Sequence, residues 1–357
     1  MWNTGAYGYL FDYFLWAILT ASVVVHTWCL FRIWPPARRP RLRLVVGNAA
    51  IALSLLAGVA FAAETYLRFV STATDVLGAT LTCKRWKLAY ATLNSLYCRD
   101  REWAEHKPPG TYRIAFVGDS FTYGWGIDDP RDRFTNLLQA RFTAESPQPV
   151  EVMNVAWAGW DTGDQLAFVR DHLGPYDVDE IVLCYLPNDL ERLIPTPADC
   201  DPRTAPETYY FDVRSSFLLD WIFHRVIVPR LLQKYRYLDW LADGYADPQV
   251  LRRQTAVIAE LTSLCRERGI KLRVVLFPFI LGESERYDAV AVHARVAEAL
   301  AQNDVPVLDL LPVVRKHDPR HLILGRHDAH PNEGAHRLFA AEIWRAFYSA
   351  GASEPGP

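Results

Sequence analysis

The sequence has no C-x-x-C pair among its six cysteines, no H-E-x-x-H run, no G-x-S-x-G elbow, no internal repeat and no low-complexity tract. Without paired cysteines or ligand-spaced histidines, a resident metal is not expected, although His317, His321, His327, His330 and His336 crowd one stretch. Without a G-x-S-x-G run, the α/β-hydrolase nucleophile elbow is excluded. The formal net charge is -3, and residues 113–349 carry no basic stripe. A nucleic-acid partner is therefore not expected. With 50% hydrophobic and 22% charged residues the chain is neither disordered nor fibrous. Its 357 residues suit one medium domain with an appendage.

What the chain does have begins with two long apolar runs. Residues 13–31 carry no formal charge, and residues 44–63 are apolar apart from Asn48 and Ser54. Each is about 20 residues, the length an α-helix needs to cross the hydrocarbon of a bilayer, and neither shows a polar face. Between them lie Arg32, Arg38, Arg39, Arg41 and Arg43, whereas no Lys or Arg precedes the first run. Arginine-rich short loops stay in the cytoplasm. The pattern predicts a two-span transmembrane hairpin over residues 1–65 in the cell (inner) membrane, with everything after it periplasmic. The competing reading is a cleaved leader ending near Ala60–Ala62, and it also exports the remainder. Cys83 and Cys98 flank a short segment, and whether a disulfide joins them there stays open.

Residues 66–112 read as a connector. Beyond it, apolar runs at 113–118, 150–157, 180–186, 271–279 and 306–314 read as strands buried on both faces. Helical spacing separates them at 132–145, 161–173, 248–269 and 288–302, and a last helix covers 332–348. This alternation predicts an α/β fold, helices covering both faces of a parallel sheet. Residues 187–247 exceed an ordinary connection and read as a helical insertion, a packed subdomain or a lid. Residues 350–357 read as a loose tail.

Ligands of an open parallel sheet bind just past the strand ends. The first strand is followed by G-D-S, placing Ser120 at the strand-to-helix turn. The second is followed by a loop with Gly159, and the third by Asn188. Asp328 and His330 precede the last helix. A serine hydroxyl needs a base, His330 titrates in the right range, and Asp328 can orient it. Backbone N–H groups of Ser120 and Gly159 and the Asn188 amide are candidate oxyanion donors. Asp119 reads as a structural residue bonding loop amides. His327 is the rival base, and His336 reads as a helix-face residue. Tyr123, Trp125, Trp157 and Trp160 flank these loops and read either as packing or as a platform lining the substrate.

G-D-S at 118–120, Gly159, N-D at 188–189 and D-A-H-P-N at 328–332 resemble the ordered blocks of SGNH (GDSL-like) hydrolases. The lead-in C-R-D-R-E-W is similar to membrane-linked bacterial members, and the final block is similar to polysaccharide O-acetyltransferase domains. The resemblance spans roughly residues 100–349. It implies a flavodoxin-like three-layer α/β/α domain, and hydrolysis or transfer of acyl esters without a cofactor. Two positions depart from the family pattern: Pro187 replaces a glycine, and D-A-H is one residue shorter than the usual D-x-x-H. The expected substrate is an acylated small molecule or envelope glycan beside the lipid bilayer. An O-acyltransferase using the same site would need an acyl-transporting membrane partner, because a two-helix hairpin cannot carry a donor across. An idle envelope scaffold is the reading from a third class.

Overall fold

The computed structural model describes residues 5–36, 39–74, 80–195, 216–227, 237–280, 288–301 and 305–349. Cys200, the remainder of the 187–247 insertion and the 350–357 tail lie outside them. The chain divides into two compact units, Met1–Trp86 with Pro202–Leu232, and Lys87–Asp201 with Gln233–Pro357.

In the first unit, helices α1 (Gly5–Ile33) and α2 (Pro40–Phe69) are packed together and are both long and apolar enough to cross a membrane. Their contact is close where small or hydroxylated residues allow it. The Thr27 and Ser54 hydroxyls lie 2.8 Å apart, and a Cβ on Gly47 would sit 2.8 Å from the Phe31 ring. Small-residue contacts of this kind hold apolar helices together where water supplies no driving force. Past the apolar stretch of α2, buried Glu64 pairs with Arg68 at 2.6 Å. The same carboxylate accepts from the Ser216 hydroxyl (2.8 Å) and the N–H groups of Phe217 (3.2 Å) and Leu218 (2.8 Å). It thereby satisfies the free N–H groups that open α7 (Phe217–Ile222). Helix α3 covers Leu81–Tyr90.

The second unit is built on a five-stranded sheet: β1 (Tyr112–Gly118), β2 (Val150–Ala156), β3 (Glu180–Tyr185), β4 (Lys271–Leu276) and β5 (Val307–Asp309). The order is β2-β1-β3-β4-β5 with every pair parallel, the flavodoxin-like arrangement. Alternate residues of each strand feed opposite cores. Ala115, Val117, Ile181, Leu183 and Val274 face a core shared with α6 (Thr162–His172), α8 (Tyr237–Ala246), α9 (Pro248–Glu267) and α10 (Ala289–Ala301). Ile114, Phe116, Val182, Cys184 and Val275 face a core shared with α5 (Phe134–Glu145) and α12 (Glu333–Phe347). Two apolar faces on every central strand explain the continuous apolar runs.

Capping follows the residues. Asp161 opens α6 through a reciprocal box with Asp164, and Gly269, at φ 68°, turns the chain after α9. The expected strand at 306–314 is shorter. Pro312 has no N–H for a ladder, and the Asp309 carboxylate accepts from Leu311 N–H at 2.8 Å, opening the one-turn α11 (Leu311–Val314) instead. A second, antiparallel sheet of β6 (Ile323–Gly325) and β7 (Asp328–Pro331) follows. The described cysteines are free thiols, Cys83 and Cys98 included.

Candidate active site

The register places the loops. Gly118, last in β1, pairs with Ala156 of β2 on one side and Cys184 of β3 on the other. The chain leaving each strand therefore starts at one level on one edge of the sheet. Ser120, Gly159 and Asn188 follow within four residues of those positions.

The turn after β1 admits no side chain at its first residue. A Cβ on Gly118 would meet Thr122 Oγ1 at 2.2 Å and Cys184 Cβ at 2.8 Å. Asp119 then caps the one-turn helix α4 (Ser120–Tyr123), its Oδ1 accepting from Phe121 N–H at 2.9 Å. This presents half-buried Ser120 as the first helical residue.

His330 lies on β7, and its Nε2 is 3.0 Å from Ser120 Oγ. Its Nδ1 is 2.5 Å from Asp328 Oδ1, which also accepts the His330 backbone N–H at 3.1 Å. Residues two apart on a strand share a face. The shortened D-A-H spacing thus puts carboxylate and imidazole side by side because the segment is extended. The shortening does not break the constellation. Phe121 and Trp125 pack on the imidazole, at ring-centroid distances of 5.8 and 5.9 Å. His327, the rival base, is exposed. His336 is buried on α12, stacked on Phe134 with Nδ1 accepting Phe134 N–H at 3.2 Å, and burial pushes its pKa down to about 3.

Gly159 sits in the turn after β2 with φ 88°, a conformation an L side chain rarely adopts. That turn is tied to the nucleophile strand, since Trp157 N–H donates to Gly118 C=O at 3.4 Å. Asn188 lies in a 3-10 helix, Pro187–Leu193, that follows β3. Its Oδ1 is buried and accepts no hydrogen bond from the described residues.

A family model, GDSL-like Lipase/Acylhydrolase family, matches residues 116–338. The chain belongs to this GDSL-like family of ester-hydrolysing enzymes. No curated protein matches it by sequence. Among solved structures, TesA shares 16% identity over 66% of this chain and 98% of its own, with a TM-score of 0.44. The acetylxylan esterase Axe2 from Geobacillus stearothermophilus shares 15% over 67% and 94%, with a TM-score of 0.42. The lipase Lip_vut3 from a goat rumen metagenome shares 13% over 67% and 99%, with a TM-score of 0.47.

Pro187, a departure from the GDSL-like pattern, occupies the first turn of the 3-10 helix, where the missing N–H costs nothing. Its carbonyl accepts from the Tyr245 hydroxyl at 2.9 Å. The neighbouring Asp189 carboxylate is buried, accepting from Thr162 Oγ1 (3.1 Å) and Gln165 Nε2 (3.4 Å). Burial, reinforced by the Asp119 charge, holds Asp189 well above the usual carboxylate range. Burial likewise raises Asp119 to about 6, against the opposing Phe121 N–H and the His330 charge.

Tyr123 and Trp125 are buried, 3% and 4% exposed, the packing alternative for these two rings. Trp125 N–H donates to Ser120 C=O at 3.0 Å, folding the loop back so that both rings pack inward. That loop is gripped from beneath by a pair of buried arginines. Arg99 donates to the carbonyls of Gly124 (2.8 Å), Ile127 (2.6 Å) and Asp128 (3.1 Å). Arg133 donates to Arg99 C=O and lies 3.6 Å from Asp100. Burial and mutual repulsion lower Arg99 to about 10. Sequence reasoning gave no role to either arginine. The only local signal was the C-R-D-R-E-W run, in which Arg99 sits between a buried thiol and an Asp.

Proposed function

We propose that the chain is a two-pass membrane-anchored serine esterase that removes acyl groups, acetyl foremost, from a cell-envelope glycan on the periplasmic side. The observation that carries it is the unbroken Ser120–His330–Asp328 chain of contacts, at 3.0 and 2.5 Å. With the proton of the neutral imidazole on Nδ1 and held by Asp328, Nε2 is free to accept from Ser120 Oγ. Ser120 Oγ attacks the ester carbonyl as its proton passes to His330. The oxyanion is met by the N–H groups of Ser120 and Gly159 and by the Asn188 amide. His330 then protonates the departing sugar oxygen, leaving an acyl-enzyme. Water attacks it, returning a proton through His330 to Ser120 and releasing the acid. No step calls on a cofactor.

The export reading is supported by the arginine-rich connection between α1 and α2, since such short loops favour the cytoplasmic side. Alkaline phosphatase fused after residue 357 is expected to be active, and an inactive fusion overturns the orientation. Catalysis is tested on the detergent-purified full chain with p-nitrophenyl acetate and an O-acetylated oligosaccharide. Ser120→Ala is expected to abolish acetate release. Undiminished turnover in that variant removes the mechanism, while acetyl transfer to an added glycan in place of acid release reassigns the site to acyl transfer.

A further inference from the structure

A concave surface lies in the second unit, on the turn that carries Gly159. It is a cleft of about 350 Å³, lined chiefly by Tyr97, Trp157, Trp160, Phe168 and His172. That volume falls in the range of small-ligand sites. We propose that this cleft binds the neutral pyranose rings of the substrate, adjacent to the ring whose ester faces Ser120. The proposal rests on the esterase reading above and names what that site recognises.

Three observations lead there. The first is continuity. Trp157 and Trp160 bracket Gly159 on a single turn, closed by Trp160 N–H to Trp157 C=O at 3.1 Å. Trp157 is 37% exposed and stands edge-on to Tyr123 at 6.1 Å. One turn therefore supplies both the glycine facing the ester and the indoles of the cleft.

The second is strain. Tyr97 is 75% exposed and holds a left-handed backbone at φ 59°. Asn94 enforces it, with Oδ1 accepting from Leu96 and Cys98 N–H at 3.0 Å each and its carbonyl accepting from Tyr97 N–H at 2.9 Å. A bulky residue there costs about 1–2 kcal/mol, and a solvent-exposed phenol contributes no packing that offsets it. The turn's hydrogen bonds hold that backbone, and the ring it carries stays exposed where it lines the cleft.

The third is chemistry. Trp160 and Phe168 lie 4.9 Å apart, Phe168 and His172 4.8 Å, forming a run of rings. Among the described residues no Asp, Glu, Lys or Arg lines the cleft, so an ionic headgroup or phosphate finds no counter-charge there. The rings carry polar tips: a phenol hydroxyl, indole N–H groups and an imidazole. A pyranose offers the match, with C–H groups on its faces and hydroxyls at its edge. An acyl chain would leave those tips unsatisfied.

The test uses Tyr97→Gly, which relieves the left-handed strain, so the variant is expected to melt no lower than the native chain. It removes only the ring. In the full-length protein, kcat/KM for an acetylated xylo-oligosaccharide is expected to fall about tenfold more than for p-nitrophenyl acetate, with Trp160→Ala behaving alike and Tyr97→Phe restoring most of the loss. Equal effects on both substrates overturn the proposal. So does a selective loss on p-nitrophenyl palmitate, which assigns the cleft to an acyl chain. Calorimetric binding of unacetylated xylohexaose to the Ser120→Ala chain separates this from the esterase reading. If no ester is hydrolysed but xylohexaose binds, and binds about tenfold more weakly with Tyr97→Gly, the cleft stands and the chemistry falls. If esters are hydrolysed and xylohexaose does not bind, the cleft assignment falls alone.

Discussion

Asp119→Asn isolates a charge that the fold holds against its own preference. Asp119 is 1% exposed. One oxygen caps α4, and the other is buried without a hydrogen-bond partner among the described residues. Its pKa of about 6 lies above the ordinary 3.8, so between those values the native state binds more protons than the unfolded chain. The stabilisation tied to the neutral carboxyl is present at low pH and lost as pH rises through that window. Two pKa units at about 1.4 kcal/mol each set a ceiling of about 3 kcal/mol for the cost of the charge at pH 8. Asparagine keeps the oxygen that caps Phe121 N–H, removes the charge and relieves the repulsion on Asp189. It also adds an amide N–H without an assured acceptor, worth about 1 kcal/mol of loss. The expected net is a gain of about 1–2 kcal/mol at pH 8 that falls below about 1 kcal/mol by pH 5. On the proposed mechanism activity moves the other way, because Asp119 attracts the imidazolium formed as Ser120 attacks; kcat is expected to fall about tenfold, equivalent to about 1.4 kcal/mol. Thermal unfolding of the native and variant chains in detergent from pH 5 to 8, with kcat on p-nitrophenyl acetate, reads both effects. A melting difference that stays constant across pH, or one that favours the native chain increasingly as pH rises, refutes the reasoning.

Gly159→Ala forces an L residue to φ 88°. It is expected to cost about 1–2 kcal/mol of stability and to move the proposed donor N–H, lowering kcat about 100-fold with a smaller change in KM, measured by steady-state kinetics. Arg99→Lys replaces a planar fork that reaches three carbonyls with a single ammonium. Stability is expected to drop by about 2–3 kcal/mol, and kcat to fall with it as Trp125 loosens over His330, while Lys107→Ala, at an ion pair to Asp179 away from this loop, leaves kcat unchanged.

The parallel sheet was legible because burial on both faces leaves a signature that needs no partner: five largely apolar runs, four of them correct to within a few residues. The fifth failed at Pro312, where the missing ladder donor outweighed the apolar run. The candidate blocks were legible as residue types in order, but their geometry was not. D-A-H carries two readings until its conformation is known, since positions two apart share a face on a strand and diverge on a helix. Only the antiparallel pairing of Ile323–Gly325 with Asp328–Pro331 decides it, and no short window encodes that pairing. The same limit hid the supporting charges. Arg99 is held by carbonyls that lie 25 to 29 residues away in the chain, and a polar residue whose partners are backbone groups leaves no complementary side chain to find. Tyr97 shows the opposite case, in which the determinant is local yet still silent. Asn94 three residues earlier dictates a backbone that tyrosine disfavours, so propensity pointed away from the structure. The turn's own hydrogen bonds, Asn94 N–H to Cys98 C=O among them, account for that backbone, and what they leave exposed is the Tyr97 ring that lines the aromatic cleft.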